Sequence, residues 1–286
     1  MNFWVIQGLN GLAFGSLLFI LAAGFSLIFG LMRIVNLSHG AYFMLGAYVG
    51  LSAIEAGINF WLAILIGGLA VCILGAVIER LILRRLAGQP LAQVLVTLGI
   101  AFIIADACLW IWTGDPRPVP MPSELGGVFR VQTLAFPVYR LFVIAVAFAL
   151  AVALWLLLER SRIGAMIRAG VDDIDMARAM GIRTSFLFPL VFCLGSALAG
   201  AGGVLSGPIL SVYPGLDSDM LPLALVVVIL GGVGSLLGAF VGSLIIGFIY
   251  SYGQALFPDL AYMILFLPMV LVLTLRPTGL FGRQAI

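Results

Sequence analysis

What this sequence has least of is charge. Only 9% of its 286 residues are Asp, Glu, Lys or Arg, against 63% that are hydrophobic. Globular domains keep roughly a quarter of their residues charged to cover their surface, so a water-soluble globule is excluded. Lysine is missing altogether, all fourteen basic residues being arginine, which holds planar anions better than lysine does. The net charge of +2 is too small to point to nucleic acid as a partner. A single histidine, His39, rules out a multi-histidine metal site. The cysteines Cys72, Cys108 and Cys193 stand singly in apolar runs without ligand spacing, as packing residues do. No basic stretch precedes the first apolar run, which reads as a retained span and not a cleaved leader.

What the chain does have is apolar sequence from end to end. Runs fall near 5–31, 37–54, 60–78, 92–112, 141–158, 185–206, 220–251 and 260–275, and about 20 such residues cross roughly 30 Å of hydrocarbon as helix. The polar interruptions are shorter than about 50 residues, the lower size of a domain. The expected fold is all-α: a polytopic transmembrane helical bundle of about eight or nine segments, one domain over 1–286. Arginine bias orients it. Arg33, Arg80, Arg84, Arg85, Arg160, Arg162, Arg168, Arg178, Arg183, Arg276 and Arg283 share one side, expected to be cytoplasmic, and Arg117, Arg130 and Arg140 lie on the other. The parity of this arrangement requires a break in 220–251, which is too long for one upright span. Gly231-Gly232-Val233-Gly234-Ser235 is the helix-weakening cluster at which we expect it. The external loop 113–140, with Pro116, Pro118, Pro120 and Pro122, reads as a structured loop or lid.

Gly11 and Gly15, and Gly234, Gly238 and Gly242, recur at spacing four, a pattern that lets helix backbones approach closely. Ordinary intrachain packing is the first reading, a subunit interface or moving gate the second. Thirty-five glycines suit a transporter of tightly packed, broken helices. Asn36-Leu37-Ser38-His39-Gly40 opens the second segment, where Asn36 can cap the helix's first turn. His39 is either a hydrogen-bonded interfacial residue or part of a proton relay. Asp106 is an acid well inside an apolar run, expensive there, and a candidate for the translocation path unless it is protonated or reaches outward. The same path or gate could use Asn36, Ser38, His39, Gly231, Gly232 and Gly234.

The loop 159–184 is the most heavily charged interruption. Asp172 or Asp173 can cap a short helix whose acidic first turn, with Asp175, complements its dipole, and Gly181 can end it. Ile174, Ala177 and Met180 repeat by threes and predict a small apolar face turned to the cytosol. Such a face fits a groove on another protein.

These residues carry a resemblance. Asp175-Met176-Ala177, three residues, then Gly181 is similar to the EAA-x-x-x-G signature of ABC importer permeases, with Asp for Glu and Met for the first Ala. Phe29-Gly30-Leu31-Met32-Arg33, Val35-Asn36-Leu37-Ser38-His39-Gly40, Ala177-Arg178-Ala179-Met180-Gly181-Ile182, Leu230 to Ser235 and Arg276 to Gly282 resemble, in order, the permeases of branched-chain amino acid importers. Ser38 stands where a smaller residue is expected. The resemblance implies a multi-pass subunit of the bacterial inner membrane, surrounded by membrane lipid. It would pair with a homologous permease, two ATP-binding subunits and a periplasmic or lipoprotein substrate-binding protein. Docking on the ATPase would fall to Asp172, Asp173, Asp175, Met176, Ala177, Arg178, Met180 and Gly181. The sequence holds no P-loop, so ATP and Mg would be used by the partners, and this chain would bind no cofactor and have no catalytic site of its own. Urea or short-chain amide permeases resemble the same group. A secondary transporter or channel would need more intramembrane carboxylates, and a membrane enzyme would need a clustered nucleophile, base or metal site.

Overall fold

The computed structural model describes residues 2–32, 35–131, 134–182 and 184–282. Arg33, Arg183 and Arg283, three of the arginines used above for orientation, lie outside them, as do the side chains of Asp172 and Ile174. Among the described residues eleven α-helices follow one another: α1 (Asn2–Met32), α2 (His39–Glu55), α3 (Phe60–Leu81), α4 (Pro90–Trp112), α5 (Val138–Trp155), α6 (Arg162–Asp172), α7 (Ile174–Ala179), α8 (Thr184–Leu210), α9 (Leu216–Gly231), α10 (Leu236–Leu256) and α11 (Ala261–Leu275). Among the described residues, six helices are long and apolar enough to cross a membrane, within α1, α3, α4, α5, α8 and α10. The chain is thus a multi-pass helical bundle. Helices α2, α9 and α11, with 17, 16 and 15 residues, are shorter than a full crossing.

One departure from an all-helical chain lies in the loop 113–140. Strands β1 (Val128–Val131) and β2 (Leu134–Pro137) form an antiparallel hairpin there, with Phe129 opposite Phe136. Arg117 bridges to Val212 through paired backbone hydrogen bonds of 2.8 Å, which ties this loop to the end of α8.

The order of the helices in the chain is not their order from the centre. The apolar window of α1 is 89% buried, whereas that of α5 is 17% buried. Helix α1 packs mainly on α10 and α8, and α2 is enclosed by α8, α3, α9 and α4. These contacts are made backbone to backbone. A Cβ on Gly11 would meet the Gly247 carbonyl, one on Gly15 the Ser243 carbonyl, and one on Gly24 the Gly195 carbonyl. A side chain on Gly203 would strike the Phe43 carbonyl, and one on Gly46 the backbone of Gly200. Close approach lets dispersion act over the whole helix length, which is what associates helices where lipid removes the hydrophobic drive.

The run 220–251 divides at its glycines. Gly231 ends α9 packed on Gly238, Gly232 takes φ +99°, a conformation that L side chains rarely adopt, and Ser235 caps α10 by accepting from the Gly238 N–H at 3.0 Å. The freed carbonyls of Leu230 and Gly231 accept from the N–H groups of Leu280 and Phe281, which pins the 276–282 tail to the break.

Candidate functional site

Two places gather the residues singled out above: the 159–184 segment and the buried start of α2. The first contains more structure than its charge pattern suggests. Beyond a π-turn over Leu156–Arg160, Ser161 accepts from the Gly164 N–H and starts α6. Helix α6 is amphipathic, with Ile167 buried and Ile163 and Met166 partly exposed. It does not appear in the sequence reading, although Ile163, Met166 and Ile167 hold the helical period and Ser161 a capping position.

Asp173, not Asp172, caps the short helix. Its Oδ1 accepts from the N–H groups of Asp175 and Met176, both at 2.9 Å, while Asp172 closes α6. At the other end the Gly181 N–H donates to the Arg178 carbonyl and the Ile182 N–H to the Ala177 carbonyl. That pair of bonds is the Schellman arrangement, and it needs the left-handed residue that Gly181 supplies at φ +84°. Arg178 pairs with Asp175 at 3.5 Å on the surface.

The expected face by threes is corrected by the packing. Ala177 is buried, 3% exposed, on a helix that packs against α6 and α8. The projecting apolar groups are Met176 and Met180, 61% and 77% exposed. Between them lies a hollow of about 240 Å³, lined by Ala169, Asp173, Met176, Ala177, Met180 and Ile182. A rigid two-turn knob with two flexible thioethers and a small apolar hollow can grip another protein's surface.

The second place is interior. Asn36, Ser38 and His39 are completely buried. Asn36 was expected to accept from the first turn of α2. Instead its Oδ1 accepts from the Ser38 hydroxyl at 2.6 Å and the Ser38 N–H at 3.2 Å, and Ser38 occupies the N-cap position without a side-chain cap bond. His39 Nε2 lies 3.0 Å from the Leu21 carbonyl, an acceptor only, so Nε2 carries the proton and Nδ1 is a bare acceptor in the neutral ring. Thr97 of α4 accepts from the Leu37 N–H at 3.2 Å. The Tyr42 hydroxyl lies beside Ser38 and Asn36, and among the described residues neither it nor Asn36 Nδ2 nor His39 Nδ1 has an aligned partner. Gly40 meets the Asp217 carbonyl and Leu221, so the first turns of α2 and α9 touch. Asp219 in turn accepts from the Tyr213 hydroxyl at 2.6 Å.

Asp106 does not join this cluster. It lies on the outward face of α4 among the exposed Phe102, Ile103 and Trp110, and no cation is within ion-pair distance among the described residues. Glu79 is the acid that the sequence reading passed over. It is 2% exposed inside α3, with no aligned partner for Oε2 among the described residues. Gly68, Val71, Gly75 and Glu79 share one helix face, the face turned to α8, and that period was the signal available. Among the described residues no group of His, Cys, Asp and Glu could hold a metal ion.

In sequence the chain is similar to known proteins over nearly its whole length. Residues 8–273 match the family described as branched-chain amino acid transport system, permease component. BraD, the high-affinity branched-chain amino acid transport system permease protein of Pseudomonas aeruginosa, is 29% identical over 98% of this chain and 96% of its own. LivH, of the same description in Escherichia coli K12, is 28% identical over 99% and 97%. LsrC, an autoinducer 2 import system permease of an Enterobacter species, is 28% identical over 82% and 68%. No solved structure matches. With a capped helix pair standing on a glycine-packed bundle, and a family match over nearly its whole length, the chain belongs to the permease components of branched-chain amino acid transport systems.

Proposed function

We propose that this permease is one of two homologous subunits forming the pore of an ATP-driven importer for branched-chain or related amino acids in the bacterial inner membrane. The names of BraD and LivH supply the cargo, and LsrC shows that relatives carry other solutes. The reading takes 1–286 as one membrane domain. Helices α1 to α5 and α8 to α11 make nine membrane-embedded segments, α2, α9 and α11 being short. Helices α6 and α7 lie in the cytoplasm, and the 113–140 hairpin loop faces a periplasmic or lipoprotein substrate-binding protein.

The observation that carries it is α7, a helix capped at both ends, with Met176 and Met180 projecting and Ala177 seated on the bundle. Two ATP-binding subunits, using ATP and Mg, would take hold of it. Their closure would push α7 and, through α6, move α1 and α8, which α6 touches. Residues Leu45, Val49 and Ser52 of α2 and Leu221, Leu225 and Ile229 of α9 form half-buried stripes on two helices that meet at Gly40. The path is assigned to these stripes, with the buried Asn36–Tyr42 cluster as the gate whose unaligned polar atoms change partners during alternating access.

Leucine uptake by vesicles containing the complete transporter is the test. Gly181→Arg places a long, charged L side chain where φ is +84° at the docking helix. It is expected to release the ATP-binding subunits on purification and to abolish uptake. Normal co-purification and uptake would overturn the docking assignment. Uptake of urea or a short amide in place of leucine would retain the importer and replace its cargo. Transport by this chain alone without ATP would show a channel or secondary carrier.

A further inference from the structure

Helices α5 and α10 both lie along α1 but scarcely touch each other. The seam between them opens to the outside of the bundle as a hollow of about 200 Å³, lined by Phe148, Ala151, Val152, Trp155, Leu236, Leu237 and Phe240, all apolar. An apolar hollow that opens on the outward side of the bundle suits a hydrocarbon chain.

One end of the hollow carries charge. After Trp155 the helix continues as a π-turn over Leu156–Arg160. In an α-helix residues five apart point about 140° away from each other, whereas the i to i+5 bonding of a π-turn stacks them. Arg160 accordingly sits over the Trp155 ring, 5.6 Å from its centroid. Glu159 is engaged by Arg168 at 3.4 Å. No carboxylate is within ion-pair distance of Arg160 among the described residues. A guanidinium held over an aromatic ring without a carboxylate partner among the described residues, at the helix end where an apolar groove begins, complements an anion attached to a hydrocarbon chain.

We propose that the α5–α10 seam is a binding site for an anionic phospholipid of the cytoplasmic leaflet. One acyl chain lies between Phe148, Val152 and Phe240, and the headgroup phosphate sits on Arg160. Trp155 belongs to both parts, wall of the groove and platform for the cation, as interfacial aromatics do. The site rests on the membrane orientation given under the proposed function but not on the cargo, so it can fail while leucine uptake survives.

The experiment is native mass spectrometry of the purified complete transporter, titrated with phosphatidylglycerol and, separately, phosphatidylcholine of the same chains. Phosphatidylglycerol is expected to be retained in preference to phosphatidylcholine. Arg160→Gln should weaken its retention about fivefold, the worth of one basic residue at an anionic membrane surface. Arg160→Lys should restore most of it, and Ala151→Phe, which fills the groove, should remove retention of that lipid even with Arg160 present. Equal retention of the two lipids, or indifference to both Arg160→Gln and Ala151→Phe, would overturn the site. So would oxidative cross-linking of a Val152→Cys variant to a cysteine on the companion permease, because a protein segment would then fill the groove.

Discussion

The α2–α8 seam and the α6–α7 pair stand at opposite extremes of packing. In the seam, Gly46, Gly200 and Gly203 bring backbones so close that a methyl group has no place. In the pair, Gly181 has nothing near its missing side chain, and Met176 and Met180 extend into open space. Glycine serves contact in the first region and backbone conformation in the second. A tightly packed seam moves as a unit, and an appended knob held by few contacts can be gripped and pushed without deforming what lies beneath. Under the proposed mechanism, the knob would receive the force and the seam would carry it as a unit.

Four variants would break or sharpen this contrast. Gly203→Leu should be the most damaging, costing about 3 kcal/mol by overpacking against the Phe43 carbonyl. A thermal melt in detergent should show a large fall in midpoint, and an unchanged midpoint would mean that the seam is looser than drawn. Asp173→Ala should cost about 1 kcal/mol, confined to α7 by loss of its cap. Hydrogen exchange should then speed up at Asp175 and Met176 while the bundle's melting point holds. Exchange that accelerates throughout the molecule would deny α7 its independence. Met176→Ser with Met180→Ser should change stability by less than about 0.5 kcal/mol, since both side chains are exposed. The pair should nonetheless weaken retention of the ATP-binding subunits in a pull-down, and full retention would remove the methionines from the interface. Glu55→Gln should have the smallest effect, under about 0.5 kcal/mol in the same melt, because its 3.5 Å pair with Arg117 is open to water.

Much of this architecture could be read in advance where one physical rule acted alone. The break in 220–251 followed from length and from a cluster of glycines, and α9 and α10 meet there. The stop at Gly181 followed from a local conformational need. Asp173 was one of two adjacent candidates, and which one caps depends on where the preceding chain ends, here at α6. Helix α6 escaped because its arginines mask a period of only a few apolar residues. Asp106 and Glu79 show the same limit in opposite directions. An acid in an apolar run has a radial position that hydropathy does not record, so Asp106 turns outward and Glu79, close to a helix end, turns inward.

By itself the sequence determined the solvent, the break in 220–251 and the stop at Gly181, because each depends on neighbours within a few residues. It also determined the family, since the motifs occur in order along the whole chain. Only the tertiary structure decided that the first helix is central and the fifth peripheral, that Ala177 is a seat and Met180 a projection, and that the starts of α2 and α9 meet at Gly40. The reason is that lipid and protein interior are equally apolar. A hydrophobic pattern therefore says that a helix is embedded, and only close packing against particular partners says where.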